Sequence, residues 1–393
     1  MTLTNDQYYG LAKLERWYQK FNHQIIEISG VVGTGVWETI QKFIDNIGFD
    51  PREIMYLSYD QKQVLEMAAK RYHAYYINGI IYNYTRIVDF DTIPVINRRS
   101  TQIDFVWKKS VRKKIDPKYR LIVVFDSILI NESTLNDLCT FGLPIILIRD
   151  PMLIPSPDTF TFMRDPNIEF NEVNPELIKN PIVYFAHKVL NDEKIKPGSY
   201  DKVSVVPKKQ MNLYNLRSSD MTITMTENMR KEINRIYREK ILKIKNSINI
   251  VGERMVVMDN IYGERLVNED EKKIKIYLTK GLVGTLSKCN KHAEVTKYVP
   301  IDFKPDFYHE SFTDLYMNRH YLNGVETPSR QQIPDDIINL EYAYALSVYT
   351  ARVSHWNKVT MTTEMNEFDD PELQKRILYT GITKARQSLT LII

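Results

Sequence analysis

Cysteine is nearly missing from this chain: Cys139 and Cys289 are the two thiols in 393 residues. They supply neither a disulfide framework nor the paired spacing of a structural metal site, so no metal is expected. The expected setting is reducing and cytoplasmic. No apolar run approaches the roughly 18 residues that a membrane span needs, and the N-terminus carries no signal-peptide core. No membrane partner is expected. A dominant charge is lacking too. Lys plus Arg number 53 against 49 Asp plus Glu, a net charge of +4, which does not by itself imply a nucleic-acid partner. There is no internal repeat and no low-complexity segment. What is present, 43% apolar and 26% charged residues, is the composition of a globular protein, long enough for about two or three domains.

The first 150 residues alternate short apolar runs with helical patterns. Strands are predicted at 24–28, 54–57, 121–125 and 144–148, and helices at 5–21, 40–47, 61–71 and 133–141. Continuous apolar strands between helices imply a parallel sheet covered on both faces. Residues 84–120 are irregular and basic, in the manner of an insertion. Residues 151–220 are proline-rich and read as a connector wrapping the domain surface. A long basic amphipathic helix is predicted over 227–248, whose charges most often mean a solvated face. Strands at 254–258, 273–278 and 293–299 mark a small β-barrel. Strand–helix–strand patterning returns from 340 to 393.

Chemistry concentrates after the strand predicted at 24–28. Gly30-Val31-Val32-Gly33-Thr34-Gly35-Val36-Trp37 is a phosphate loop without its cation. A working loop is Gly-x-x-x-x-Gly-Lys-Ser/Thr between a strand and a helix. Gly30 and Gly35 hold the two glycine positions, and Gly33 adds backbone freedom. Val36 stands where the lysine belongs, and Trp37 where the magnesium-binding hydroxyl belongs. Backbone N–H groups and a helix N-terminus still attract an anion. Lost are the point charge on the outer phosphates and the metal ligand, and each charge-assisted hydrogen bond is worth ~1.5–3 kcal/mol. The indole at 37 is expected to plug the metal end of the pocket. Taken alone, the segment reads equally as a glycine-rich turn.

Further motifs follow in a fixed order. Leu3-Thr4-Asn5-Asp6-Gln7 precedes the loop, with Thr4 or Asn5 also able to cap a helix. Val123-Val124-Phe125-Asp126-Ser127 ends an apolar strand, and Ile148-Arg149-Asp150-Pro151-Met152-Leu153-Ile154-Pro155 ends another. Thr226-Glu227-Asn228-Met229-Arg230-Lys231, Tyr344-Ala345-Leu346-Ser347-Val348-Tyr349-Thr350-Ala351-Arg352-Val353-Ser354 and Tyr379-Thr380-Gly381-Ile382-Thr383-Lys384-Ala385 complete the series. In this order the chain resembles superfamily 1 DNA helicases of the RecD/Dda-like branch over nearly its whole length.

The resemblance implies an α/β fold: two RecA-like domains with an SH3-like β insertion in the second. The first would take 1–220, with a pin-like insertion at about 84–120 and the connector at 151–220. The second would take 221–260 and 337–393, and the insertion 261–336. It implies that Gln7 reads an adenine edge, that Gly30, Gly33, Thr34 and Gly35 cradle phosphates, that Asp126 and Asp150 serve the metal and its surroundings, and that Arg230 is an arginine finger. Against this pattern Ser127 replaces the glutamate that activates water, Leu153 the glutamine that senses phosphate, and Lys384 the second arginine finger. The His-Lys pair of the penultimate motif becomes Tyr349-Thr350, and Arg352-Val353 replaces Gln-Gly.

The framework persists while the groups that touch phosphate, metal or attacking water are replaced. Serine is no general base near neutral pH, and lysine lacks the bidentate fork of arginine. The expectation is a helicase-like protein that has lost hydrolysis, with weak or absent Mg-ATP binding and no cofactor. Single-stranded DNA is the expected partner, with replication or recombination proteins beside it; the resemblance points to phage replication and a host cytoplasm. Trp107, Lys108, Lys109, Arg112 and Lys113 in the insertion, with Tyr349 and Arg352, are the candidate DNA contacts, since aromatic stacking is worth ~1–3 kcal/mol per base. The alternatives are a protein-interaction scaffold that binds no DNA and an active helicase with an atypical nucleotide site.

Overall fold

The computed structural model describes residues 2–88, 105–112, 114–155, 165–244, 251–259, 261–267, 272–289, 297–306, 311–323, 337–352, 354–364 and 368–393. They pack as two compact units. The first is Met1–Ile77, Lys113–Lys245 and Tyr344–Ile393, and the second is Asn78–Arg112 and Asn246–Ala343.

The first unit opens with the helix Asn5–Lys20, where Thr4 and Gln7 form a capping box that satisfies two otherwise orphaned amides. Six strands then make a parallel sheet in the order Ala74–Tyr76, Ile54–Ser58, Leu121–Val124, Ile145–Arg149, Ile25–Gly30, Ile168–Phe170. Ile145–Arg149 separates the strand that enters the glycine loop from the strand that leads to Asp126, which is a RecA-like order. Ile54–Ser58 and Leu121–Val124 are buried throughout, as strands covered on both faces must be. On one face Leu11, Leu14 and Trp17 pack with Ile26, Ile28, Ile40 and Phe43. On the other, Arg149 in its strand pairs with Glu27 in the next at 3.2 Å. Because the strands are parallel, Gly30, Ser58, Asp126 and Asp150 all emerge at one edge.

A second sheet follows in the order Ala345–Ser347, Met221–Thr224, Trp356–Thr362, Ala385–Ile392, Val203–Val206, Gly198–Tyr200. All neighbours are parallel except the last pair. The boundary expected at 220 is thereby corrected. Val203–Val206 pairs with Leu389–Ile392, so the second sheet begins inside the stretch taken as a connector. These strands have three or four residues, too short to show a period, and their partner lies far along the chain. The same stretch also holds the helix Pro181–Leu190, capped by Asn180 with proline in its first turn. The long basic helix is shorter than expected: Glu227–Ile236 gives way to a π-helical turn at Tyr237–Ile241, and 245–248 lie outside the described residues.

In the second unit six strands form a mainly antiparallel sheet, Ile337–Ile338, Phe312–Asn318, Tyr298–Pro305, Val283–Cys289, Arg254–Val257, Leu340–Tyr342. Its two edges, Ile337–Ile338 and Leu340–Tyr342, are separated in sequence by Asn339 alone. One residue cannot span an open sheet, so the sheet curls into a nearly closed barrel around Met255, Leu286, Phe303, Leu315 and Leu340. Tyr298–Pro305 overlaps the strand expected at 293–299 at Tyr298 and Val299, and 293–296 lie outside the described residues. The barrel also extends beyond 261–336 at both ends, taking in Arg254–Val257 and Leu340–Tyr342. The segment 84–120, irregular by sequence, contributes to a hairpin, Tyr82–Val88 against Phe105–Val111, in which Trp107 lies opposite Arg86, Lys108 opposite Thr85 and Lys109 opposite Tyr84. This hairpin belongs to the same unit as the barrel.

Candidate functional site

The glycine loop is a tight strand-to-helix turn. Gly33 and Gly35 have φ of 90° and 75°, the left-handed region that costs other residues most. A Cβ on Gly30 would lie 2.4 Å from Thr34 Oγ1 and 2.8 Å from Val36 Cγ2, so the hollow of the loop is lined by its own side chains. Its carbonyls are taken up one after another. Val31 O accepts from Thr34 Oγ1 at 2.8 Å, and Val32 O from His187 Nε2 at 2.7 Å, which places the proton on that nitrogen. Gly33 O accepts from Asn174 N at 2.9 Å, and Thr34 O from Gln7 Nε2 at 2.8 Å. The Val32 N–H donates to the Tyr379 hydroxyl at 2.8 Å.

Gln7 is fully buried. Its Oε1 accepts from Thr4 N at 2.9 Å and from Asn174 Nδ2 at 3.4 Å. In this arrangement its amide braces the loop and caps a helix.

Where a lysine and a hydroxyl would face nucleotide, the structure has hydrocarbon. Val36 is buried. The Trp37 ring lies 5.1 Å from Phe125 and 6.0 Å from Tyr56, centroid to centroid, and Tyr56 stacks on Phe125. Burial pushes the Tyr56 hydroxyl well above the usual phenol range. Phe125 immediately precedes Asp126, so the indole packs against the base of the acidic strand end. The next residue, Ser127, is buried with its Oγ unpartnered among the described residues.

Asp150 is a hub. Its Oδ2 accepts from the Tyr379 hydroxyl at 2.5 Å and its Oδ1 from Met152 N at 2.9 Å. Burial pushes its pKa up to about 6, against the pull of these two hydrogen bonds. Lys384, at the end of the helix Pro371–Thr383, is 1% exposed. Burial lowers its pKa, while the charges of Asp126, Asp60 and Asp150 oppose that shift. Asp60 is buried as well. It caps the helix Gln61–Ala69 through Lys62 N and accepts from Ser354 Oγ at 3.3 Å and His355 Nδ1 at 3.5 Å. Desolvation and the Lys384 charge hold His355 below its ordinary value. Leu153 is buried, and the next amide, Ile154 N, donates to Thr380 Oγ1 at 3.1 Å.

Sequence reasoning missed Tyr379, Asp60, His187 and Asn174. Asp60 follows an apolar strand as Asp126 and Asp150 do, a signal that could have marked it. Nothing in the sequence marks His187 or Asn174, which reach the loop from over 140 positions away.

Other candidates are placed differently from expectation. Arg230 is buried and donates through Nε to Glu227 Oε2 at 2.6 Å, so it is no exposed helix arginine. Arg352 is half-buried: its Nη1 donates to Pro155 O at 3.0 Å, and desolvation lowers its pKa. Arg112 is also engaged, with Nε on Ile80 O at 2.9 Å and Nη2 on Gly79 O at 3.3 Å. Tyr349 is exposed. Lys113 and the side chains of Trp107, Lys108 and Lys109 lie outside the described residues.

A Mg-nucleotide fits this donor set poorly. Position 36 has no charge, position 37 no hydroxyl, and one loop amide is already bonded to Tyr379. Among the described residues no group of three or more His, Cys, Asp or Glu side chains is arranged to hold a metal ion.

No protein-family model matches the chain, and no curated protein does. Among solved structures it is similar to a Bacteroides Pif1 bound to single-stranded DNA, at 11% identity and a TM-score of 0.44 over 100% of this chain and 92% of that one. The same Bacteroides helicase with ADP-AlF3 and single-stranded DNA aligns at 12% identity and 0.43, covering 100% and 92%. The Pif1 helicase of Candida albicans aligns at 11% and 0.40, covering 100% and 95%.

Proposed function

We propose that the chain is a helicase-like protein of the superfamily 1 kind that binds single-stranded nucleic acid without hydrolysing nucleotide, as an accessory of replication or recombination. The observation that carries this reading is the Trp37–Phe125–Tyr56 cluster in a strand–loop–helix whose glycines are kept. With Trp37 drawn into that cluster against the hydrophobic core, the helix start offers no hydroxyl for the ion that a transferring phosphoryl group needs, and Val36 offers no charge beside it. Ser127 supplies no base. The RecA-like sheets that build the frame are retained. The exposed Tyr349 and the hairpin carrying Trp107 are the contacts to which single strands are assigned.

Two measurements test it. ATP binding and turnover are measured with and without single-stranded DNA, beside a Val36→Lys, Trp37→Thr, Ser127→Glu variant; the native chain is expected to show neither binding nor turnover. DNA-stimulated turnover by the native chain would refute the reading. Single-strand affinity is measured against salt, and phosphate contacts predict a steep fall. Affinity weaker than about millimolar at low salt would leave the scaffold reading, which the engagement of Arg352 Nη1 with Pro155 O favours, as the better account.

A further inference from the structure

The Tyr379 hydroxyl sits between two groups that nucleotide chemistry normally uses. It accepts the Val32 N–H of the glycine loop at 2.8 Å and donates to Asp150 Oδ2 at 2.5 Å. Tyr379 is fully buried. It lies on the helix Pro371–Thr383, which leads into the second sheet, whereas Val32 and Asp150 lie at the strand ends of the first. One turn of this helix thus reaches across to the loop. An anion receptor built from backbone N–H groups is met here by a neutral oxygen of the protein's own.

Neighbouring contacts run the same way. Thr380 Oγ1 accepts from Ile154 N, Arg376 Nη2 donates to Pro151 O, and Arg352 Nη1 donates to Pro155 O. Lys62 Nζ donates to His355 O at 2.6 Å, and Arg386 pairs with Glu66. In each, one partner comes from the first sheet's segments and the other from the last fifty residues. Lys384, buried at the end of the helix Pro371–Thr383, has its pKa lowered by desolvation against the opposing charges of Asp126, Asp60 and Asp150.

We propose that Tyr379 is a built-in replacement for nucleotide: its hydroxyl occupies the loop amide that would hold a phosphate oxygen, and with the neighbouring Thr380, Arg376 and Arg352 contacts it holds the two RecA-like sheets against each other without any ligand. A motor needs that junction to open and close as nucleotide is bound and released. Here the junction is satisfied by side chains that cannot leave. The inference shares the nucleotide-free premise of the proposed function, but its test uses neither DNA nor turnover, so the two readings fail separately.

The test is amide hydrogen exchange on the full chain. In the native protein without nucleotide, the Val32 and Ile154 amides are expected to be protected, and 5 mM Mg-ADP, about the upper physiological range for a probe of this kind, is expected to leave both unchanged. Tyr379→Phe keeps the ring and removes one oxygen. It is expected to speed exchange at Val32 by about tenfold and, because the contacts act together, at Ile154 too, although its own partner Thr380 is untouched. Faster exchange at Val32 alone would show that Tyr379 only caps an amide, and would overturn the proposal. So would unchanged exchange at both. Should the variant fail to fold, the native protein still decides: a Val32 amide exchanging at the free-peptide rate, or slowing markedly on addition of Mg-ADP, overturns it.

Discussion

Asp150 offers the sharpest quantitative test of the site. Its carboxyl is buried and its pKa is raised from 3.8 to about 6. The folded chain therefore keeps a proton that the unfolded chain sheds as pH rises from about 4 to about 6. Below that window the carboxyl is neutral in both states and costs nothing. As pH climbs through it, the folded state must either hold the proton or ionise a buried group, and stability contributed by this position is lost. A shift of about two units corresponds to ~3 kcal/mol at the plateau. Other carboxylates act oppositely: Asp50 is held down to about 2 by Arg52, so its contribution grows with pH at more acid values. A difference measurement isolates Asp150. In Asp150→Asn the Tyr379 hydroxyl can still donate to an amide oxygen, but nothing titrates. Urea unfolding is followed by tryptophan fluorescence, for which Trp17, Trp37 and Trp356 all report on the first unit. The variant is expected to be the less stable protein at pH 4.5, with the gap closing or reversing by ~2–3 kcal/mol at pH 7. A gap that stays constant between pH 4 and 8 would refute the assignment of a raised pKa to this carboxyl.

Other substitutions probe the packing on which the site stands. Trp37→Ala removes two aromatic partners and a half-buried ring, so a loss of ~2–3 kcal/mol in chemical denaturation is expected; a loss under ~1 kcal/mol would mean that the cluster is incidental. Asn234 accepts from Tyr344 N at 3.0 Å and Ala345 N at 2.9 Å and donates to Ala345 O at 3.1 Å. Asn234→Ala strands these buried backbone groups and should cost ~2–4 kcal/mol, read as a lowered urea midpoint with an unchanged slope. In the barrel, a Cβ on Gly284 would lie 2.4 Å from Lys304 O and 2.7 Å from Pro305 Cα. Gly284→Ala should cost ~2 kcal/mol or more and speed amide exchange across Val283–Cys289 while leaving the first sheet protected.

Much of the fold was legible because it is local. The apolar runs at 54–57 and 121–125 announced buried strands, and the helices around 5–21 and 61–71 carried their own caps, Thr4 and Asp60. The replacements at Val36 and Trp37 could be named from the spacing of the glycine loop, and those at Ser127 and Leu153 from the resemblance to superfamily 1 helicases. The short strands Gly198–Tyr200 and Val203–Val206 were not legible. Three or four residues carry no period, and what makes them strands is the edge of Ala385–Ile392 waiting nearly two hundred positions later.

The sequence by itself determined that Val36, Trp37, Ser127 and Leu153 carry no charge and that only Ser127 has a hydroxyl, because residue identity decides charge and hydrogen-bonding capacity whatever the surroundings. Only the tertiary structure decided which groups the site brings together. Tyr379 looked like framework, and its role follows from the approach of one helix to the glycine loop. Arg352 is half-buried, and one of its guanidinium nitrogens donates to Pro155 O. Lys384 stands where the resemblance puts the second arginine finger, and packing buries it almost completely, so desolvation lowers its pKa. Chain-distant neighbours set burial and partners, and these decide what a side chain does.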